Sequence, residues 1–154
     1  MSTEDPLRLV TYCGLYCGLC AERARIPMQA KQLEQSLHDE RYDEFYSFVP
    51  WLKETYPKAL EFLHVLAEND CTCRSGKGGP PDCEMRKCAK AKDVSACPLC
   101  PDYPCEHVER MAEYYPNLIQ DGKRMRKIGV EKWIAEQEAR VRRGLVYADL
   151  RNQV

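Results

Sequence analysis

The chain has 154 residues, 44% hydrophobic and 31% charged, with a formal net charge of −1. That length fits about one domain, and the near-neutral total excludes the basic balance of a general nucleic-acid or membrane-surface binder. No span approaches the roughly 18 apolar residues that a membrane helix needs. The opening Met1-Ser-Thr-Glu-Asp-Pro6 has neither a basic region nor an apolar stretch, so no secretion signal is expected. A cytoplasmic location follows as the expectation, and there thiols stay reduced. Charge is nonetheless uneven: Gln29 to Asp70 carries four Lys/Arg against nine Asp/Glu, and Gly122 to Arg143 carries eight against three.

Residues 7–12, Leu-Arg-Leu-Val-Thr-Tyr, form the one convincing strand candidate. The first cysteines follow at once, in Cys13-Gly-Leu-Tyr-Cys17-Gly-Leu-Cys20. A cysteine-free stretch of fifty residues comes next and reads as two helical runs. The first spans about 27–48, with Leu33, Leu37, Phe45 and Phe48 near one face and a break near Asp39. Pro27 suits its first turn. The second centres on 57–69, where Ala59, Leu60, Leu63, Leu66 and Ala67 make a buried helical stripe.

Residues 71–105 hold seven cysteines, Cys71, Cys73, Cys83, Cys88, Cys97, Cys100 and Cys105, among much Gly and Pro and few apolar side chains. Apolar burial cannot organise such a segment. Metal ligation can, since structural zinc contributes about 10–16 kcal/mol of apparent binding energy in small peptides. Helical periodicity resumes after Cys105. One helix carries Val108, Met111, Ala112 and Tyr115 and stops at Pro116. A second runs to about Ile128, and a third covers about 130–143 with Trp133, Ile134 and Val141, ending at Gly144. The tail Leu145-Val-Tyr-Ala-Asp-Leu150 reads as a short extended piece. Together these elements predict one mainly α domain over 1–154. It has a helical insert at about 27–69, C-terminal helices at about 104–143, a cysteine-rich metal-organised loop region and little β structure.

The cysteine spacings carry the chemistry. Cys17-x-x-Cys20 and Cys97-x-x-Cys100 let two thiolates grip one ion from a tight turn. In the first turn, glycine after cysteine permits a positive φ; in the second, Pro98 and Pro101 supply rigidity. Cys83 and Cys88 stand five residues apart, which on a helix points them about 140° from each other. Both reach one ion only if the backbone there leaves regular helix. The spacings predict metal ligation by Cys13, Cys17, Cys20, Cys71, Cys73, Cys83, Cys88, Cys97, Cys100 and Cys105, with two zinc ions. Proximity groups Cys13, Cys17 and Cys20 with one distant cysteine, and Cys83, Cys88, Cys97 and Cys100 with each other. Cys71, Cys73 and Cys105 compete for the vacancy. Arg74, Arg86 and Lys87 lie close in sequence to offset thiolate charge.

An iron–sulfur or thiol-redox protein is the alternative, because Cys13-x3-Cys17-x2-Cys20 is also the spacing of radical S-adenosylmethionine enzymes. Leu19 stands where that class usually has an aromatic residue, and a chain with one strand does not build their α/β barrel. A disulfide framework is disfavoured in a reducing compartment. The loop Ser75-Gly-Lys-Gly-Gly-Pro80 lacks the order of a phosphate loop and reads as a connector. His107 reads as a surface residue at a helix start, and His38 and His64 lie in helical stretches with nothing to mark them as catalytic. Lys123, Arg124, Arg126, Lys127, Arg140, Arg142 and Arg143 read as a solvated face, with a zinc-dependent nucleic-acid-binding module as the rival. No Ser/His/Asp or paired-carboxylate constellation stands out, so no catalytic residue is assigned.

The ordered set of motifs resembles a bacterial and archaeal family, the cysteine-rich domain of unknown function 3795, described as zinc-binding. The resemblance rests on Tyr12-Cys-Gly-Leu-Tyr-Cys-Gly-Leu-Cys20, Cys71-Thr-Cys-Arg74, Cys83-Glu-Met-Arg-Lys-Cys88, Cys97-Pro-Leu-Cys-Pro-Asp-Tyr-Pro-Cys105 and Ile128-Gly-Val-Glu-Lys-Trp133. One departure is the central C-x-C at Cys71 and Cys73, where the family commonly has C-x-x-C. The resemblance implies metal binding and carries no settled activity. The expected protein is a zinc-binding module with structural metals. It would act, if at all, through a protein partner, with no nucleic-acid or membrane role expected.

Overall fold

Proline and glycine punctuate this chain into short helices. A computed structural model describes residues 5–152. Its helices are α1 (Arg25–Asp39), α2 (Tyr42–Phe45), α3 (Pro50–Lys53), α4 (Tyr56–Ala67), α5 (Glu84–Ala91), α6 (Glu106–Ala112), α7 (Leu118–Ile128), α8 (Val130–Arg142) and α9 (Tyr147–Arg151). Single 3₁₀ turns lie at Cys17–Leu19, Tyr46–Phe48 and Cys97–Leu99. The protein is mainly α. Two compact units emerge, one of Glu22–Asp70 and one formed by the chain up to Ala21 together with the chain from Cys71 onward.

Within Glu22–Asp70, α1 packs against α4. The break expected near Asp39 occurs at Arg41, whose φ of 53° is left-handed. That residue turns the chain between Leu37 and Phe45, so the predicted common face of Leu33, Leu37, Phe45 and Phe48 does not form. Leu33, Phe45 and Phe48 are exposed, Phe48 at 82%. The stripe on α4 is only partly buried: Ala67 is covered, Leu60, Leu63 and Leu66 are half-buried, and Ala59 is exposed. Aromatic contact supplies the rest. Tyr56 is buried against Tyr42 and Tyr46, with ring centroids 5.3 and 4.4 Å away, and its hydroxyl donates to Asp43 Oδ1 at 2.8 Å.

The other unit has two cores. One gathers Val10, Tyr16, Leu19, Ala96, Met125, Trp133 and Tyr147; the other gathers Cys13, Met85, Ala89, Cys97, Tyr103, Val108 and Leu118. Trp133 on α8 is fully buried, with Tyr16 edge-on to it at 6.1 Å. Tyr16 N donates to the Tyr147 hydroxyl at 2.6 Å, tying the first cysteine turn to the C-terminal helix. The expected strand at 7–12 is reduced to a single antiparallel bridge, Val10 to Tyr16. Its backbone groups are taken by the chain reversal instead. Val10 N bonds Leu7 O, Thr11 N bonds Leu15 O, Cys17 N bonds Leu9 O, and Arg74 Nε donates to Val10 O at 2.7 Å. The expected extended tail is corrected too: Leu145 and Val146 lead into helix α9, where Asp149 Oδ2 accepts from Val146 N at 3.0 Å.

Arg124 pairs with Glu136, Arg140 grips Asp121 through two bonds of 2.8 and 3.1 Å, and Arg142 pairs with Glu138. Arg124 and Arg140 therefore brace α7 against α8, while Arg142 pairs within α8. Gly122 marks where the packing on α7 is tightest. A β-carbon there would overlap the Tyr103 hydroxyl, which donates to Leu118 O and Ile119 O, and would come within 3.1 Å of Pro98 Cγ. Glycine to alanine inside a helix ordinarily stabilises by about 1 kcal/mol. Here the sign reverses: Gly122→Ala should destabilise by about 1–3 kcal/mol through overpacking, read from the urea midpoint.

Candidate metal centre

Ordinary helix geometry decides how the cysteines are shared out. Cys83 is the residue before α5 and Cys88 lies inside it. Because α5 is a regular helix, the five-residue spacing parts the two thiols. Cys83 lines one cavity with Cys13, Cys17, Cys20, Cys71 and Cys73. Cys88 lines another with Cys97, Cys100 and Cys105. The grouping of Cys83 with Cys88, Cys97 and Cys100 suggested by proximity differs from the way the thiols line these cavities. Cys105, at the N-terminal edge of α6, takes the place of Cys83. No disulfide joins any of the ten cysteines.

Two similar turns frame these cavities. At Cys17–Leu19, Cys20 N donates to Cys17 O at 3.1 Å; at Cys97–Leu99, Cys100 N donates to Cys97 O at 2.9 Å. The turns are coupled. Cys97 N donates to Tyr12 O at 2.6 Å, and a β-carbon on Gly14 would meet Pro98 Cγ at 2.6 Å. The positive φ expected after cysteine belongs to Gly14, at 97°, and not to Gly18. Gly18 is required for space: a β-carbon there would meet the Tyr16 ring at 2.7 Å and Val141 at 3.1 Å.

The larger cavity has a volume of about 200 Å³ and mostly apolar walls, with Met85, Met111, Tyr115 and Arg86 among them. Cys13 and Cys17 are buried there, and Cys20, Cys71, Cys73 and Cys83 are half-buried. Cys13 Sγ lies 3.0 Å from Thr11 Oγ1. Arg86 reaches in from α5. Its Nη2 donates to Gly78 O at 2.6 Å and stands 3.9 Å from Cys73 Sγ, and its Nε is buried without a hydrogen-bond partner. Gly78 must be glycine, since a β-carbon would lie 2.9 Å from the Thr72 backbone. The glycine-rich connector thus supplies a backbone acceptor to Arg86.

The smaller cavity has a volume of about 20 Å³. Lys92 stands at its edge, ion-paired with Asp102 at 2.6 Å, and the thiols of Cys88 and Cys100 act on Lys92 in the same sense as that carboxylate. His107 is turned away to Arg110 and Glu84. Among the described residues, no three His, Cys, Asp or Glu side chains converge closely enough to enclose one ion. The thiols line shared cavities without meeting at a point, so ligation would require rotation about their Cα–Cβ bonds, between staggered wells. Soft thiolates of this kind suit zinc, copper(I) or iron–sulfur centres.

The fold and the cavities define a small helical protein with a thiol-lined interior. Residues 9–110 match the family described as Protein of unknown function (DUF3795), and the chain belongs to that family. No curated protein and no solved structure matches the chain. No helix among the described residues is long and apolar enough to cross a membrane.

The sequence named Arg86, with Arg74 and Lys87, only as a charge near the thiols; the structure sets Arg86 on the wall of the larger cavity. Its place could have been sought in the helix register: Arg86 lies three residues after Cys83, on the same helix face.

Burial pushes the Cys13 thiol up from 9.0 to about 11, against the hydrogen bonds from Thr11 and Leu15 and with Cys73 and Cys83 adding to it. Burial, then the neighbouring thiols led by Cys13, pushes Cys97 up to about 12. In metal-free protein both stay protonated where the unfolded chain already ionises. Their folded pKa is the higher one, so the stability they support is present below about pH 9 and is lost as pH rises toward 11–12. Urea midpoints of chelated, reduced protein should fall across that window, and fall less steeply in a Cys13→Ala/Cys97→Ala variant.

Proposed function

We propose that this chain is a thiolate metal-binding protein in which Cys88, Cys97, Cys100 and Cys105 hold one structural zinc ion. The observation that carries this reading is the match of donor number and space. Four cysteines line a cavity of about 20 Å³, and a single water-sized guest needs about 10–15 Å³ on the same measure. The tight turn at Cys97–Leu99 presents Cys97 and Cys100 from one side. Cys88 comes from α5 and Cys105 from the entry to α6, so an ion there would join a turn and two helices. Zinc binding supplies the folding free energy that a loop-rich segment of this composition lacks.

Four thiolates fill a tetrahedral coordination sphere and leave no position for substrate, so the role assigned to this ion is structural. The chain as a whole reads as a cytoplasmic binding or regulatory module whose partner its chemistry does not name. Membership of the family supports this reading only as far as a shared cysteine framework goes.

Zinc determination on purified protein tests the centre. Wild-type protein should carry zinc, and Cys100→Ser should lose about one ion per chain. An unchanged zinc content in Cys100→Ser would end the assignment. Chelation should also lower the thermal midpoint of the wild-type protein and have little further effect on Cys100→Ser.

A further inference from the structure

The cavity beside Cys13 is far larger than the one that suits a single ion. Its volume is about 200 Å³ against about 20 Å³. One ion held there by four sulfurs would leave most of that space unfilled beside mostly apolar walls. Six cysteines line it, enough for four ligands. It also has a cation. Arg86 is fixed by Gly78 O, passes 3.9 Å from Cys73 Sγ, and keeps its Nε buried with no acceptor in the protein. A buried donor on a charged group calls for a negatively charged acceptor beside it.

We propose that this cavity holds a polynuclear iron–sulfur cluster of the 4Fe–4S type, ligated by four of its six cysteines, with Arg86 donating a hydrogen bond to its sulfur. The proposal rests on the reading that clustered thiols of this chain ligate metal, and not on which metal occupies the smaller centre. A cubane of iron and sulfide fills space that a lone ion leaves empty. It also brings its own sulfide acceptors to the orphaned Arg86 Nε. Cys13, Cys17 and Cys20 offer three thiolates from one short segment, and Cys71, Cys73 and Cys83 offer the fourth. A thiolate-bound cluster is anionic, and the guanidinium offsets part of that charge. Hydrogen bonds and positive charge at the sulfurs raise the reduction potential of such centres.

Anaerobic purification of the full chain, with iron, acid-labile sulfide and zinc counted per chain, tests this. About four iron and four sulfide are expected beside about one zinc, with the broad visible absorbance of sulfur-to-iron charge transfer. Protein isolated without iron is to be reconstituted anaerobically with ferrous iron and sulfide and counted again. Zinc alone, with no iron or sulfide retained after reconstitution, overturns the cluster and leaves the thiolate-metal reading intact. Absence of every metal overturns both. In a Cys13→Ser/Cys17→Ser/Cys20→Ser variant, iron and sulfide should be lost and zinc kept, and Cys100→Ser should do the opposite; the reverse pattern overturns the assignment of the cavities. Arg86→Gln that still loads iron should have a more negative reduction potential than wild type, and an unchanged potential removes Arg86 from the site.

Discussion

Everything in the cysteine-bearing body depends on two short turns being pressed together. The hydrogen bond from Cys97 N to Tyr12 O and the seat of Pro98 against Gly14 join segments more than eighty residues apart in sequence. The closure is tight because neither partner can be enlarged. Gly14 has no β-carbon and a φ that other residues rarely adopt, and Pro98 is fully buried. Above this contact, Tyr103 packs under α7 at Gly122, and Tyr16 reaches Trp133 and Tyr147. The two apolar cores are thus arranged around a junction made of backbone and ring atoms, with a cysteine on either side of it. Cys13 and Cys97 meet there, which is why burial dominates the ionisation of both.

Cys97 lines one thiol cavity and Cys13 the other. One is ion-sized and four-sided; the other is roomy, six-sided and provided with a guanidinium. The two thiol sets differ in number, in the space they line and in the charge beside them. Helix α5 is the element that parts the thiols that line them. Its regular geometry directs Cys83 and Arg86 to one side and Cys88 to the other.

Much of this was legible from residue order alone. Gly144 bounded α8 where it was expected to, with a positive φ, and the periodicity after Cys105 yielded α6, α7 and α8 within a few residues. The helical consequence of the Cys83–Cys88 spacing was also readable, since it follows from the pitch of the helix. What sequence hid was non-local. The strand at 7–12 failed because its hydrogen-bonding groups are claimed by a chain reversal and by Arg74, 64 residues from Val10. Cys105 could not be placed because its partners are set by how α6 docks. The face expected on Phe45 and Phe48 failed through one left-handed residue, Arg41, which no hydrophobic pattern reveals.

The segment Glu22–Asp70 leaves the body just past Cys20 and returns at Cys71, and both of those thiols line the same cavity. Cys20 and Cys71, the cysteines that flank this stretch in the thiol-lined unit, therefore lie at one cavity. Lengthening a loop whose ends are already pinned costs only about 0.6 kcal/mol per doubling. The chain between Cys20 and Cys71 can therefore change in length at little cost in closure entropy.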